Sequence, residues 1–313
     1  MLLKIIQSSF ARTGTPMPPM RIAIAGTCGL AQYIANLLAT QSYHTFIVLS
    51  RNSNPAMTTR GWQVIQVTYT SASDLRYTLA GVDTVISTIN GDAQLALIDA
   101  AAAVHVRRFV PSEFEGSPAV RPINDVFDCG RRAALSRLQH YESRGMGFTV
   151  FTCGIFYERF GPRGMRAYQI GLRSAIGGEG EYIMDIRNCK AKIPYYDSAG
   201  QPVHVCMMSA QDVARFVVAA LDLSSWPREL RMKGERMTVS EVVSIGEALR
   251  GRDFERANYT KESLQDDLTV AQALRDDVRE QRTQHLIVTA DGRYDFASEQ
   301  RHFGSMPYHI NLR

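Results

Sequence analysis

From Arg21 onward the chain alternates short, continuously apolar runs with stretches of helical length, and this alternation restricts the fold more than any other feature. The runs are "RIAIAG", "TFIVLS", "WQVIQVTY", "DTVISTI" and "RRFVP", with helices expected through Leu38, from Asp74 to Leu79 and from Ala93 to Ala103. Strands without a polar face are buried on both sides, and strand, helix and strand close as right-handed crossovers. The pattern therefore predicts an α/β fold, a doubly wound parallel sheet with helices on both faces. A further helix is expected to open at "VFDCGRRAAL" with Gly130 inside it, followed by the strand-like "GFTVFTCGIF". Beyond that point the alternation loosens, which suggests a smaller C-terminal lobe over the carboxyl edge of the sheet. In that lobe Ser209 with Asp212 makes a helix start, as does Thr238 or Ser240 ahead of a helix stopped by Gly251. Residues 261–283 read as one charged surface helix.

Composition narrows the function. The net charge of +4 is dispersed, with no run of five like charges, so no nucleic-acid partner is expected. No stretch of about 18 apolar residues occurs, so no membrane span is expected. Five cysteines without a Cys-x-x-Cys pair argue against disulfides and zinc, and fit a reducing, cytoplasmic setting. Residues 1–20 carry Lys4 and Arg12 without acids and are read as a disordered leader, with Met20 as an alternative start.

Between the first apolar run and the first helix stands "GTCGLAQY", so Gly26 and Gly29 fill the first two places of a Gly-x-x-Gly-x-x-Gly loop and Gln32 the third. A strand, a glycine loop and a helix N-terminus together present backbone amides to a pyrophosphate, with glycines where a Cβ would block approach. The second run ends in Arg51, where an acidic residue would bind a ribose 2′-hydroxyl. A guanidinium there, beside Asn52 and Ser53, suits a 2′-phosphate, so NADP(H) is preferred to NAD(H).

The stretches "GTCGLAQYI", "DTVISTIN", "VRRFVPSEFEG" and "GFTVFTCGIFYERF" together resemble the NmrA-like and isoflavone-reductase-like group of atypical short-chain dehydrogenase/reductases, from Arg21 to about residue 270. The resemblance implies a Rossmann domain over residues 21–155, on which a helix at 209–222 packs, and a substrate lobe from 156–208 and 223–313. It assigns Gly26, Thr27, Gly29 and Leu30 to the pyrophosphate and Arg51 to the 2′-phosphate. Thr88, Ile89 and Asn90 fall on the nicotinamide side with Pro111, Ser112 and Phe114, and Gly154 to Phe156 border the ring. Cys28 and Cys153 are placed to touch the cofactor without reacting with it.

Two positions depart from that group. Its reductases carry a lysine three residues past a Phe early in the helix after the Pro-Ser-Glu-Phe loop, and counting from Phe127 that place falls on Gly130. No lysine occurs between Lys4 and Lys190, so no slip of register restores it. The group's Asn after the next strand is Gly154. Both exchanges are expected to open space in the cleft. Candidate proton carriers are Glu158, Tyr157 and Asp128, with Asp125 and Glu115 nearby, because a carboxyl in an apolar cleft titrates closer to neutrality. His105 and His204 lie in or beside strand-like runs and are read as structural.

Three functions remain open from the sequence. One is NADPH-dependent reduction of a C=N or C=C bond in a bulky aromatic or alkaloid-like molecule of specialised metabolism. Another is a non-redox cyclisation of Pictet-Spengler type with NADP as a structural cofactor, and the third a cofactor-sensing regulator. The aromatics Phe148, Phe151, Phe156, Tyr157, Phe160 and Tyr168 suit a flat ligand or a core equally. A monomer or homodimer is expected.

Overall fold

The computed structural model describes residues 18–172, 174 and 176–296. Six parallel strands form the central sheet: β1 (Arg21–Ala25), β2 (Thr45–Ser50), β3 (Val64–Gln66), β4 (Thr84–Ser87), β5 (Arg108–Val110) and β6 (Gly147–Phe148), in the order β3-β2-β1-β4-β5-β6. In the central register Ile22 faces Phe46 on one side and Thr84 on the other. All four residues of β4 are buried, as strands covered on both faces require. The order reverses between β1 and β4, and a doubly wound sheet opens its ligand crevice at such a reversal.

One apolar layer lies under helix α1 (Gly29–Gln41), where Leu30, Ile34 and Leu38 pack with Ile22, Ile24 and Phe151. The other lies under α3 (Ala72–Leu79), α4 (Asp92–Ala103) and α5 (Arg131–Glu142), which bury Leu75, Leu97, Ala134 and Leu138 against Val85 and Phe109. A short helix, α2 (Pro55–Thr58), follows β2. Beyond β6 the strand resumes as β7 (Val150–Thr152), and β12 (Glu229–Arg231) pairs with it in parallel. Helix α6 (Ala210–Ala220) seats Val213, Ala214 and Val217 in the same layer as α1. Its start is the Ser209 and Asp212 pair read from the sequence: the Asp212 N–H donates to the Ser209 hydroxyl at 3.0 Å.

The remaining chain forms two small sheets. In one, β11 (His204–Met208) lies between β8 (Ile155–Phe156) and β13 (Glu235–Thr238); in the other, β10 (Lys190–Pro194) lies between β9 (Met184–Asp185) and β14 (Glu255–Tyr259). Helix α7 (Val239–Arg250) is capped by Thr238 rather than Ser240, with Glu241 completing a capping box, and ends at Gly251. A third core joins these elements through Ile155, Val205, Val243, Leu264 and Leu286.

Four expectations change. The charged stretch is not one surface helix but two, α8 (Lys261–Ala273) and α9 (Asp277–Ala290), broken at Arg275 with φ 53° and restarted by the Asp276 cap. The second turns inward, burying His285, Leu286, Val288 and Thr289, because its last turns are apolar. Residues 1–17 of the expected leader and residues 297–313 of the expected lobe lie outside the described residues. Met20, placed in that leader, is 2% exposed and receives the Thr45 N–H at 3.0 Å, so it belongs to the sheet. Phe148, Phe151 and Phe156 are core residues.

Gly130 is the fourth. It lies before α5 rather than inside a helix, with φ 80° in the left-handed region, and a Cβ there would stand 3.1 Å from the Cα of Gly91. The turn holding it is tied down by the Gly91 N–H donating to the Cys129 carbonyl at 3.0 Å. Gly130→Ala is therefore expected to cost about 1–2 kcal/mol, the usual penalty for an L side chain in this conformation. Urea unfolding measures it, and an unchanged midpoint would contradict this account of the glycine.

Candidate functional site

The glycine loop sits at the carboxyl end of β1, beside the reversal point. The Gly26 N–H donates to the Leu49 carbonyl at 3.0 Å, which fixes the loop against β2. Cys28 is the N-cap of α1 and supplies no side-chain hydrogen bond, so the first-turn amides take partners from elsewhere. Leu30 turns its side chain into the core and offers the loop only its backbone. Arg51 is exposed just past β2 and lies close enough to the Tyr69 phenol to act on it electrostatically. Thr88 hydrogen-bonds back to the Ala25 carbonyl at 2.9 Å. Ser87 closes the turn through the Ile89 carbonyl at 3.1 Å and leaves Asn90 exposed.

A partner for α1 that the sequence did not reveal comes from a distant segment. The Gly29 N–H donates to the carbonyl of Gln169 at 3.0 Å, and the Gln32 amide donates to the Gln169 side chain at 2.8 Å. Gln32, the odd residue of the glycine loop, thus holds a tether.

The loop expected beside the nicotinamide is rigid. Pro111 and Ser112 are buried, the Ser112 N–H donates to Gln94 at 2.7 Å, and the Phe114 ring stacks on Phe151 with centroids 6.1 Å apart. Cys153 is buried and its thiol is pushed well up by burial and by Glu115 and Glu158, which makes it a poor nucleophile. Gly154 does not widen the cleft as expected. With φ 43°, a Cβ there would lie 2.1 Å from the Cys206 carbonyl, so β11 occupies the space.

The three proton-carrier candidates are held by different elements. Asp128 is not on the helix but ahead of it, accepting the Gly130 N–H at 3.1 Å and the Arg132 N–H at 3.0 Å, so it caps α5. Tyr157 opens a one-turn 3-10 helix (Tyr157–Phe160) and receives the Glu235 backbone N–H; burial and the Glu235 charge push its phenol up to about 12. Glu158 accepts the Ala210 N–H at 2.9 Å at the start of α6, while its Oε2 is buried without a hydrogen-bond partner. Burial pushes its carboxyl up, and Asp212 adds to the shift against the amide bonds.

Below the rigid loop lies a buried ionic network. Arg293 bridges Asp125 at 2.8 Å and Glu115 at 3.2 Å, and Arg131 reaches Glu115 at 3.0 Å. Arg121 pairs with Glu113 and lies 3.6 Å from Asp125 and 3.5 Å from Asp128. The Tyr294 hydroxyl donates to Glu115 at 3.1 Å and lies 3.0 Å from Nε2 of His285. Burial tends to raise Glu115, but the guanidiniums of Arg131 and Arg293 outweigh it and hold the carboxyl at about 2. Burial and Arg159 hold His285 well below the usual histidine range, so its ring is neutral. Arg293, His285 and Tyr294 escaped the sequence reading; the one signal for them was the apolar run "HLIVTA" ending α9.

Among the described residues no grouping of His, Cys, Asp and Glu could hold a metal ion, and no helix is long and apolar enough to cross a membrane. Two surface depressions of about 510 and 530 Å³ lie along α4, one toward α3 and one toward α5, and neither is lined by an expected site residue.

The sequence matches the profile of the NmrA-like family over residues 19–291. A curated relative, Oxidoreductase BOA1 of Botryotinia fuckeliana (strain B05.10), is 26% identical over 264 residues, covering 78% of this chain and 80% of its own. Among solved structures, AtPrR2 with NADP+ and (+)pinoresinol superposes with a TM-score of 0.65 at 18% identity over 86% of each chain. A ternary complex of leucoanthocyanidin reductase from Vitis vinifera gives 0.62 at 18% identity, over 93% of this chain and 92% of the other. The NADPH-dependent quinone oxidoreductase QOR2 of Escherichia coli, complexed with NADPH, gives 0.64 at 14% identity, over 88% and 92%. These likenesses establish the fold.

Arg293 is 1% exposed, and Arg293→Met leaves two buried carboxylates short of charge. A loss of about 3–5 kcal/mol in urea unfolding at neutral pH is expected. Glu115 stabilises the fold in its charged form above its ordinary value of 4.5, and that contribution is lost as pH falls toward about 2. Acid unfolding of Arg293→Met, followed by circular dichroism, should therefore begin at a higher pH than in the parent.

Proposed function

The chain belongs to the NmrA-like family, and on that premise we propose that it is an NADP(H)-dependent oxidoreductase acting on a bulky aromatic small molecule, by reduction of a C=N or C=C bond. The observation that carries this reading is the position of the Gly26 to Leu30 loop, at the carboxyl end of β1 and the reversal point of the sheet, with Arg51 exposed at the end of the neighbouring strand. Support for the redox class comes from BOA1, named an oxidoreductase, and from the neighbours solved with NADP+ or NADPH. The aromatic substrate rests on the pinoresinol bound to AtPrR2.

The residues fit the cofactor. Backbone from Gly26, Thr27, Cys28, Gly29 and Leu30 would cradle the pyrophosphate, because at Gly29 chain oxygen approaches to within hydrogen-bond distance and a side chain would fill the seat. Arg51 would take the 2′-phosphate, a charge-assisted contact that NADH does not offer. When bound, the cofactor supplies hydride.

This chain's own part is proton handling. Glu158 is the group suited to deliver a proton, because its raised carboxyl keeps the proton at a pH where an exposed glutamate has lost it. Its Oε1 is committed to α6, which fixes the direction of Oε2. Tyr157 stays protonated and orients by its contact with Glu235, while Asp128 serves the fold. An iminium substrate would need no proton at carbon, which fits a helix start lacking the lysine.

Two outcomes follow. Arg51→Ala should raise the KM for NADPH about tenfold or more and leave that for NADH nearly unchanged, the size expected for a lost charged hydrogen bond. Steady-state kinetics with both cofactors decides it, and equal effects on the two would remove Arg51 from the site. If Glu158 is the acid, activity on a C=C substrate falls as pH rises through its elevated titration point. Glu158→Gln should then abolish that limb of the kcat/KM profile and lower the rate on the order of a hundredfold. A variant keeping the parent profile would exclude Glu158.

A further inference from the structure

We infer that the segment Arg163–Gly171 is a strap that competes with a dinucleotide for the pyrophosphate cradle, with Gln32 and Gln169 as its latch, and that dinucleotide entry displaces it. This inference rests on the cofactor reading above and describes how that site is regulated.

The seat is backbone against backbone. The Gly29 N–H, first amide of α1, is occupied by the Gln169 carbonyl at 3.0 Å. A Cβ on Gly29 would lie 1.8 Å from the carbonyl oxygen of Tyr168 and 3.1 Å from Cγ1 of Ile170, so the glycine makes room for the strap as well as for a phosphate. Gln32 then clamps the pair, its side-chain amide donating at 2.8 Å to the Gln169 side chain and at 3.2 Å to the Thr27 carbonyl. Met165 and Ile170 anchor the strap in the core layer of Leu30, Ala31 and Phe156.

One amide does not make two full-strength hydrogen bonds, and the Gln169 carbonyl already stands 3.0 Å from the Gly29 nitrogen. A phosphate oxygen approaching Gly29 must replace the Gln169 carbonyl, and it can do so because a charged acceptor makes the stronger hydrogen bond at a helix N-terminus. The strap is also built to leave. Its ends are left-handed turns, Arg163 with φ 64° and Gly164 with φ 63° at one side, Gln169 with φ 56° and Gly171 with φ 60° at the other. Arg163 and Gln169 adopt a conformation that L side chains disfavour, a cost the seated form carries. Tyr168 is part of the strap, and the turn that carries Tyr157 and Glu158 ends at Phe160, three residues before it.

Stopped-flow mixing with NADPH, followed by nucleotide fluorescence, tests this on the full chain. In the parent the observed rate should reach a plateau set by strap opening. Gln32→Ala, which removes the latch, and Ile170→Ala, which removes an anchor, should each raise that plateau and tighten NADPH about three- to tenfold, the factor for one ordinary hydrogen bond. On saturation with NADPH, amides of residues 163–171 should exchange with deuterium faster. Binding detected only in the variants would also support the strap. A rate rising linearly with NADPH and equal in all three proteins, or slower exchange in the strap, overturns it and leaves the cofactor reading standing. Absence of calorimetric NADPH binding to all three overturns the cofactor reading, and the strap with it.

Discussion

The structure hinges on the guanidinium of Arg293. It lies 168 residues beyond Asp125 and 178 beyond Glu115, in the last described turn of the chain, yet it is seated between them beneath the loop that follows β5. Isolated charges at that depth would each cost several kcal/mol in lost hydration, and they are tolerated because each faces an opposite charge at hydrogen-bond distance. The arrangement joins the two halves of the molecule in one place. The loop from Pro111 to Phe114 is held by Arg131 through the Ser112 carbonyl, and Arg131 shares Glu115 with Arg293. The end of α9 is thereby tied to the loop that follows β5.

That network also decides which acids are available for chemistry. Glu115 and Asp125 are spent on arginines, and Asp128 on the amides that open α5. Glu158 is different, because one of its oxygens is bound and the other is buried and unpaired. The sequence put Glu158 and Asp128 ahead of Asp125 and Glu115; their partners separate Glu158 from the other three.

The two glycines that looked like deleted catalytic side chains have a different cause. At Gly130 and Gly154 the backbone is left-handed and another backbone passes within contact distance, so both positions exclude a Cβ for steric reasons. The missing lysine is still a fact of the sequence. What changes is its meaning: the helix starts only at Arg131, past the glycine, and the space is filled by Gly91 and Cys206 instead of being opened to a larger substrate.

The sheet, its helices and the glycine loop were legible in the sequence, because burial on both faces and helical periodicity are local properties of short stretches. "RIAIAG" reads as a buried strand wherever it occurs, and Ser209 caps α6 through a residue three places on. The inward turn of α9 lies beyond the charged stretch that reads as a surface helix, and its one local signal is the apolar run "HLIVTA". The strap and the ionic network were not legible at all. Gly29 meets Gln169 and Glu115 meets Arg293 across 140 and 178 residues, and no local pattern encodes which distant group will fill a turn or balance a charge. Sequence alone determined that a glycine loop would join β1 to a helix; tertiary structure decided that the Gln169 carbonyl meets the first amide of that helix, because hydrogen-bond and charge partners are chosen by packing.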